Sequence, residues 1–212
     1  MIEDYIHLLH RQSFGVLATH SETAPGFPFA SVLPFAPDTG QKPLFFISRL
    51  AEHTRNLESN GKASFLLFDP ANQDVLLNPR VTVLGTVEAV PRGEALQSRY
   101  LRYQPDAAQY MAFADFQFYR LTPERIRTVA GFGRMGWENA DAMSSTETWT
   151  EEEEEIALEQ VQKHSPANVT VLGLDPWGVD FIRAGVRHRQ EFTPHPVTTL
   201  KLMETAQSCL LR

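Results

Sequence analysis

The sequence predicts a mainly β protein of the α+β class, a largely antiparallel β-barrel with helices around it and a small α/β module after it. Three observations support this class. Short apolar segments with strand character recur between turns that contain Gly and Pro. Helical segments interrupt them at irregular intervals, and no regular β-α-β alternation is present, which argues against a parallel sheet. The apolar fraction of 42% over 212 residues is sufficient for a sizeable core.

The N-terminal part is predicted to form the barrel. Apolar residues at helical spacing over residues 1–10 indicate a first helix. A helix is also predicted at 49–60, and a second helical pattern over 91–110 is interrupted by Pro105. Alternating or continuous apolar runs predict seven strands, at residues 14–19, 29–35, 43–48, 63–68, 80–90, 116–121 and 126–132.

The composition changes after Trp137. Residues 138–150 are polar and aperiodic, which is typical of a linker. Five consecutive glutamates from Glu151 begin a helix with Thr150 as its N-cap, and we expect these glutamates to lie in solvent. The chain then continues with a hairpin and a helix, predicted at 169–174, 179–183 and 197–211. We therefore expect two domains, a barrel at 1–140 and a C-terminal module at 141–212.

The charges limit the partners. With 19 Lys and Arg residues against 26 Asp and Glu residues, the formal net charge is −7, which argues against a nucleic-acid-binding surface. Fifteen of the nineteen basic residues are Arg, whose planar fork of donors suits phosphate and carboxylate, so we expect local anion sites. A single cysteine, no signal peptide and no apolar span lead us to expect a cytoplasmic protein without a membrane partner.

Three clusters are candidates for chemistry. The run SRLAEHTRNL from Ser48 to Leu57 places hydroxyls and guanidinium groups where a strand passes into a helix, and free N–H groups there suit a phosphate. Arg80 opens a long strand after a proline. Three glycines lie between Ala130 and Trp137, where they allow close approach of the backbone to a ligand. The alternative for the first cluster is a helix with ordinary surface side chains. The alternative for the second is that Arg80 is simply an arginine on an edge strand.

The residues contain no recognisable metal or triad motif. The seven histidines are scattered without a His-Glu-x-x-His pattern, and there is no Gly-x-Ser-x-Gly elbow or activated cysteine. His188 or His195 could act as an axial ligand from a loop, with a solvated side chain as the alternative. Whether the protein is an enzyme is left open.

In their order and spacing, the three clusters resemble the FMN-binding split β-barrel superfamily of the pyridoxamine 5′-phosphate oxidase type, and more narrowly its branch of heme-iron-utilisation proteins. The resemblance covers about residues 3–137 and rests on FGVLAT, FPFASVLPFAPD, SRLAEHTRNL, PRVTVLGTVEAV and AGFGRMGW. The segment LGLDPWGVDFIRAG and the residues after it are similar to the small α/β module often fused to this branch.

This resemblance implies an antiparallel split β-barrel and a homodimer with two equivalent FMN sites at the subunit interface. The end of the third strand and the next helix would grip the FMN phosphate, and the second strand would line the flavin ring. Trp137 would approach from the partner subunit, and the flavin would carry the redox chemistry. The implied cofactor-binding residues are Ser31, Val32, Leu33, Ser48, Arg49, His53, Thr54, Arg55, Asn56, Arg80, Thr82, Arg134 and Trp137.

The resemblance also implies heme as an alternative in the same groove. His195 or His188 would then ligate the iron, Asp115 would orient that histidine, and Arg134 would meet a propionate. The first hypothesis is thus a flavin-binding, oxidoreductase-like homodimer, the second a heme-binding or heme-degrading protein, and the third a non-catalytic cofactor-binding protein. The sequence does not identify the small-molecule substrate.

Overall fold

The computed structural model describes residues 2–69, 78–130, 134–143 and 150–192, together with residues 206, 208 and 210. The helices are α1 (Ile2–Arg11), α2 (Glu52–Ser59), α3 (Glu94–Tyr103) and α4 (Glu151–Lys163), and 3₁₀ turns cover Pro105–Tyr110 and Ala140–Met143. The strands are β1 (Phe14–His20), β2 (Pro28–Pro34), β3 (Ala36–Pro37), β4 (Pro43–Ser48), β5 (Lys62–Phe68), β6 (Arg80–Val90), β7 (Phe116–Val129), β8 (Met135–Asn139), β9 (Val169–Asp175), β10 (Gly178–Arg183) and β11 (Val186–Glu191).

The first eight strands form one antiparallel sheet in the order β2-β1-β5-β6-β7-β4-β3, with β8 paired to β7. The inward side chains of these strands form the main core, against which α1 packs through Tyr5 and Leu9. The Phe65 ring lies edge-on to Phe35 and Phe45, with centroids 5.2 and 5.0 Å away. This arrangement confirms the predicted fold class, a mainly β split barrel with helices around it.

One strand replaces two predicted ones. The sequence predicts separate strands at 116–121 and 126–132, but β7 runs unbroken from Phe116 to Val129. The register between β6 and β7 shifts beside Gly85, and β7 continues through Pro123. This position requires glycine, because a Cβ at Gly85 would lie 2.1 Å from the Thr122 carbonyl oxygen. The prediction of two strands was wrong because residues 122–125 (TPER) interrupt the apolar pattern although β7 continues through them, and β8 was not predicted.

The last three strands form a second antiparallel sheet in the order β11-β10-β9. Its core contains Val161 of α4, Val179, Phe192 and two residues near the C-terminus, Ala206 and Leu210. Residues 206, 208 and 210 are helical, in agreement with a closing helix there. Strand β11 was not predicted, because its sequence VRHRQE is mostly polar. The division into domains at residue 140 stays a prediction.

Charged side chains that link the two sheets are buried. Glu154 of α4 is fully buried, where it pairs with Arg99 of α3 and, at 2.9 Å, with Arg102. Arg99 also donates to the Pro37 carbonyl at 2.7 Å. The expectation that the glutamate run lies in solvent is therefore wrong for Glu154, although the predicted capping box of Thr150 is present. No helix of the described residues is long and apolar enough to cross a membrane.

Candidate functional site

A cleft of about 610 Å³ opens where β2 and β4 end and α3 passes into the turn Pro105–Tyr110. Leu33 and Ser48 line it on the strand side and His53 lines it from α2. Its size lies within the range typical of small-molecule sites. Three residues predicted to bind a cofactor are therefore brought together in one cavity of a single chain.

Aromatic side chains form one wall of this cleft. The Tyr110 and Phe116 rings stack with centroids 5.1 Å apart and planes 6° apart, and Phe46 lies 5.3 Å from Phe116. Pairing of β4 with β7 positions them, since Ser48 lies opposite Phe116. Burial raises the pKa of Tyr100, which also lines the wall, so its hydroxyl stays protonated at neutral pH. Such a wall favours a flat, largely apolar ligand.

The junction between β4 and α2 is organised by Ser48. Its hydroxyl donates to Asp115 Oδ2 at 2.5 Å and accepts from the Leu50 N–H at 3.1 Å. Its carbonyl accepts from the Thr54 hydroxyl at 2.7 Å. Helix α2 then begins after Ala51 without a side-chain cap. An uncapped helix start can take an anion, because its first N–H groups have no partner within the helix.

His53 lies in the first turn of α2 and lines the cleft. Its Nδ1 lies 3.4 Å from the Ser31 hydroxyl, and its buried Nε2 has no hydrogen-bond partner among the described residues. Burial lowers the pKa of His53, which keeps the imidazole neutral at pH 7. A neutral imidazole is the form that ligates metals. The Ser31 hydroxyl is thus adjacent to a residue that lines the cleft.

The other residues predicted to hold a phosphate have different surroundings. Thr54 and Asn56 are fully buried, and the Asn56 amide donates to the Thr19 hydroxyl and accepts from the Glu22 N–H. Arg49 and Arg55 lie at the surface. Arg49 pairs with Glu58 at 3.2 Å, and Arg55 donates to the Leu50 carbonyl at 2.6 Å.

A second group of predicted residues shares the outer face of the barrel sheet. Directly paired residues on neighbouring antiparallel strands point to the same side. The register places one row across six strands, formed by Val32, Val16, Leu66, Thr82, Arg127 and Trp137. Arg80 lies in the adjacent row, opposite Val129. Arg134 is exposed and lies 3.4 Å from Asp4. Leu33 points to the opposite side from Val32, because successive strand residues alternate.

Of the residues predicted to serve a heme iron, the structure describes His188 and Asp115, and no hydrogen bond joins these two. His188 is exposed in β11, where its ring stacks on Phe181 at 5.4 Å. Asp115 accepts a hydrogen bond from Ser48 and, in the described part of the chain, from no histidine. His195 lies outside the described residues. The roles assigned to these three residues stay predictions.

A cluster of buried charged residues was not predicted from the sequence. His10 of α1 contacts Asp180 at 2.5 Å and Asp175 at 3.4 Å, and Arg189 donates to both carboxylates at 2.8 and 2.9 Å. Tyr103 donates to Asp180 at 2.6 Å. His10, Asp175 and Asp180 lie close enough to hold a metal, but Arg189 already uses both carboxylates. The only signal in the sequence was the presence of acids in apolar strands.

The sheet order and the helices around it define a mainly β protein of the split-barrel class, with a cleft beside the junction of β4 and α2. The family model described as pyridoxamine 5′-phosphate oxidase matches residues 1–130. The chain belongs to this family, which confirms the resemblance that the sequence motifs indicated.

Individual proteins that are similar to this chain have more specific names than the family does. The non-canonical heme oxygenase HOZ, chloroplastic, of Arabidopsis thaliana is 34% identical over 133 residues, which are 61% of this chain and 40% of that protein. The chain thus spans well under half the length of this relative. Two solved structures share the fold. A heme-binding protein from Mycobacterium smegmatis has a TM-score of 0.63 and 24% identity, covering 98% of this chain and 94% of that one. A protein of unknown function from Agrobacterium tumefaciens has a TM-score of 0.70 and 23% identity, covering 96% and 92%.

Proposed function

We propose that the protein binds heme in the aromatic cleft, as a heme-binding or heme-degrading protein. The observation that carries this proposal is the combination of a stacked aromatic wall with His53, a neutral imidazole whose Nε2 has no hydrogen-bond partner in the part of the chain that the structure describes. Flat aromatic faces suit a porphyrin, and imidazole is a common ligand of heme iron. The Arabidopsis relative named as a heme oxygenase supports the same ligand.

The cleft residues divide the work of holding such a ligand. Tyr110 and Phe116 would pack against the porphyrin and exclude water from it. His53 would ligate the iron after rotation of its side chain, since Nε2 is buried and the hydrogen bond of the ring within the described part of the chain is the 3.4 Å contact with Ser31. A bound heme supplies redox and oxygen chemistry to the site. His53 is favoured over His188, which does not line the cleft.

Replacing His53 by alanine is expected to weaken hemin binding by more than about tenfold, because losing a ligand costs more than losing its hydrogen-bond partner. Titration of the purified protein with hemin, followed at the Soret band, measures this. His188→Ala is the matched control and should leave the band unchanged. A band lost in His188→Ala and kept in His53→Ala would refute the ligand assignment. No Soret band in the unmodified protein would refute heme binding itself.

FMN is the second candidate, and the uncapped start of α2 favours it. A phosphate there would meet the first N–H groups of the helix, with the Ser48 hydroxyl and the surface residues Arg49 and Arg55 nearby in the chain. Arg55 already contacts the Leu50 carbonyl at the same end of the helix. The flavin would then carry the redox chemistry of an oxidoreductase-like protein.

Replacing Arg55 by alanine is expected to weaken FMN binding by about 1.5–3 kcal/mol, the contribution of a charge-assisted hydrogen bond. Equilibrium titration followed by flavin fluorescence measures the change. Arg11→Ala removes an equally charged side chain from α1 and should have no effect. An FMN affinity that is the same in Arg55→Ala and in the unmodified protein would reject this role for Arg55.

We also propose that the protein is a homodimer that acts in the cytoplasm. The outer face of the barrel sheet supports the dimer, because it exposes large apolar side chains on β2 and on β8. Val32 is 65% and Met135 52% exposed, and a second copy would remove this apolar surface from water. Residues predicted to bind one cofactor lie on both sides of the sheet, and a second copy would bring the two sets together. Sedimentation showing a single species of 23.9 kDa would refute the dimer.

A further inference from the structure

Two arginines lie against one exposed tryptophan on the outer face of the barrel sheet. The guanidinium carbons of Arg125 and Arg127 are 4.7 and 5.9 Å from the centre of the Trp137 ring. The two arginines alternate along β7 and therefore share a face, and Trp137 of β8 lies directly opposite Arg127. The Trp137 side chain is 44% exposed. The Trp137 ring therefore keeps both guanidinium groups close to the surface of the sheet.

Neither arginine has an acidic partner among the residues that the structure describes. Other arginines of this acidic chain do, since Arg99, Arg120 and Arg189 each pair with a carboxylate. The residues opposite the two cations on the neighbouring strands are uncharged, Thr82 beside Arg127 and Asn139 beside Arg125. Within the described ranges, two adjacent positive charges therefore remain uncompensated on a surface where an anion would relieve their repulsion.

Stacking on an aromatic ring leaves the donors of a guanidinium group available. Attraction to the π face holds the group near the ring, and a guanidinium group with five N–H donors keeps donors for a second partner. Two such forks can donate several hydrogen bonds to one carboxylate or phosphate group, which is the geometry in which Arg binds these anions best. The Thr82 hydroxyl, opposite Arg127, can add a further donor.

We propose that Arg125, Arg127 and Trp137 form an anion-binding site for the carboxylate or phosphate group of a small-molecule ligand. None of the three residues lines the aromatic cleft, so the site does not rest on heme binding there. The site places two of the arginines that dominate the basic residues of this chain on one face of the barrel sheet. The ligand class is a multiply charged anion, a dicarboxylate or a phosphate ester.

The test uses small anions and the indole N–H signal of Trp137 in a ¹⁵N–¹H spectrum, assigned by its loss in Trp137→Phe. Inorganic phosphate and malonate are titrated separately at constant ionic strength. We expect saturable shifts of this signal, and the double variant Arg125→Gln/Arg127→Gln should weaken binding by about tenfold or more. The control Arg11→Gln/Lys163→Gln removes the same charge at exposed positions elsewhere.

The outcomes separate the two anion sources. A response to phosphate alone assigns a phosphate ester, a response to malonate alone assigns a carboxylate, and a response to both supports the shared chemistry. The absence of any saturable shift would overturn the proposal. Equal weakening in the control double variant would also overturn it, because it would show an effect of net charge only. The single variants Arg125→Gln and Arg127→Gln, each expected to weaken binding less, keep the test valid if the double variant does not fold.

Discussion

Replacing Asp180 by alanine is expected to lower the free energy of unfolding by about 3–5 kcal/mol, as for other broken buried ion pairs. Asp180 is 1% exposed and accepts hydrogen bonds from His10, Tyr103 and Arg189 at 2.5, 2.6 and 2.8 Å. Without its carboxylate, these donors remain buried around a cavity without an acceptor. Urea unfolding at pH 7 measures the loss.

Glu191→Ala is the matched control on the adjacent strand β11. Glu191 is 37% exposed and pairs with Arg11 at 2.8 Å, and exposed pairs contribute only about 0–1 kcal/mol. A comparable loss of stability in both variants would contradict the larger contribution that we expect from the buried cluster around Asp180.

The same carboxylate sets a dependence of stability on pH. Burial alone would raise the pKa of Asp180, but the charges of His10 and Arg189 hold that pKa well below its usual range. The unfolded chain has an ordinary value of about 3.9. The stabilisation by Asp180 is therefore complete above about pH 4 and is lost as the pH falls toward the folded-state pKa. The unmodified protein should lose stability in acid more steeply than Asp180→Ala does.

Replacing Glu154 by alanine should also destabilise the protein by about 3–5 kcal/mol, because it leaves a buried cation without its carboxylate partner. Arg99 is 1% exposed, and Glu154 is its carboxylate partner. Burial opposes the charged form of Arg99, but the Glu154 carboxylate raises its pKa above the ordinary value. Glu154 also accepts from the Leu174 N–H at 3.1 Å, so its removal affects β9 as well. Thermal and urea unfolding measure the effect.

The glutamate run supplies the control for this prediction. Glu152 lies two residues earlier in the same helix and is exposed, so Glu152→Ala should change stability by no more than about 0.5 kcal/mol. If Glu152→Ala and Glu154→Ala had equal effects, the acidic run would act through helix charge as a whole and the pair with Arg99 would be unimportant.

Local patterns predicted most of the barrel. Strand β6 begins and ends where the sequence places it, because its alternating buried and half-buried residues follow directly from period-two hydrophobicity. The register shift at Gly85 and the continuation of β7 through Pro123 were not predictable in this way. They depend on the register between two strands that are nearly forty residues apart, and a local pattern carries no information about register.

The candidate site was also predicted only in part from the sequence. The run SRLAEHTRNL correctly indicated a strand that passes into a helix, since the change of periodicity is local. The roles of its side chains were not local. Thr54 bonds to the Ser48 carbonyl and Asn56 to Thr19, whereas His53 faces the cleft. The aromatic wall was also missed, because Phe46, Tyr110 and Phe116 meet only after β4 pairs with β7.

The sequence by itself determined the class of protein: a barrel of short antiparallel strands, an acidic chain with arginine as its main cation, and the motifs of its family. Only the tertiary structure decided what individual charges do. His10 and Asp180 are 170 residues apart yet in contact, and Glu154 is buried while Glu152 lies in solvent. The physical reason is that the energy of a charge depends on its burial and its partners. Both are set by contacts between distant segments.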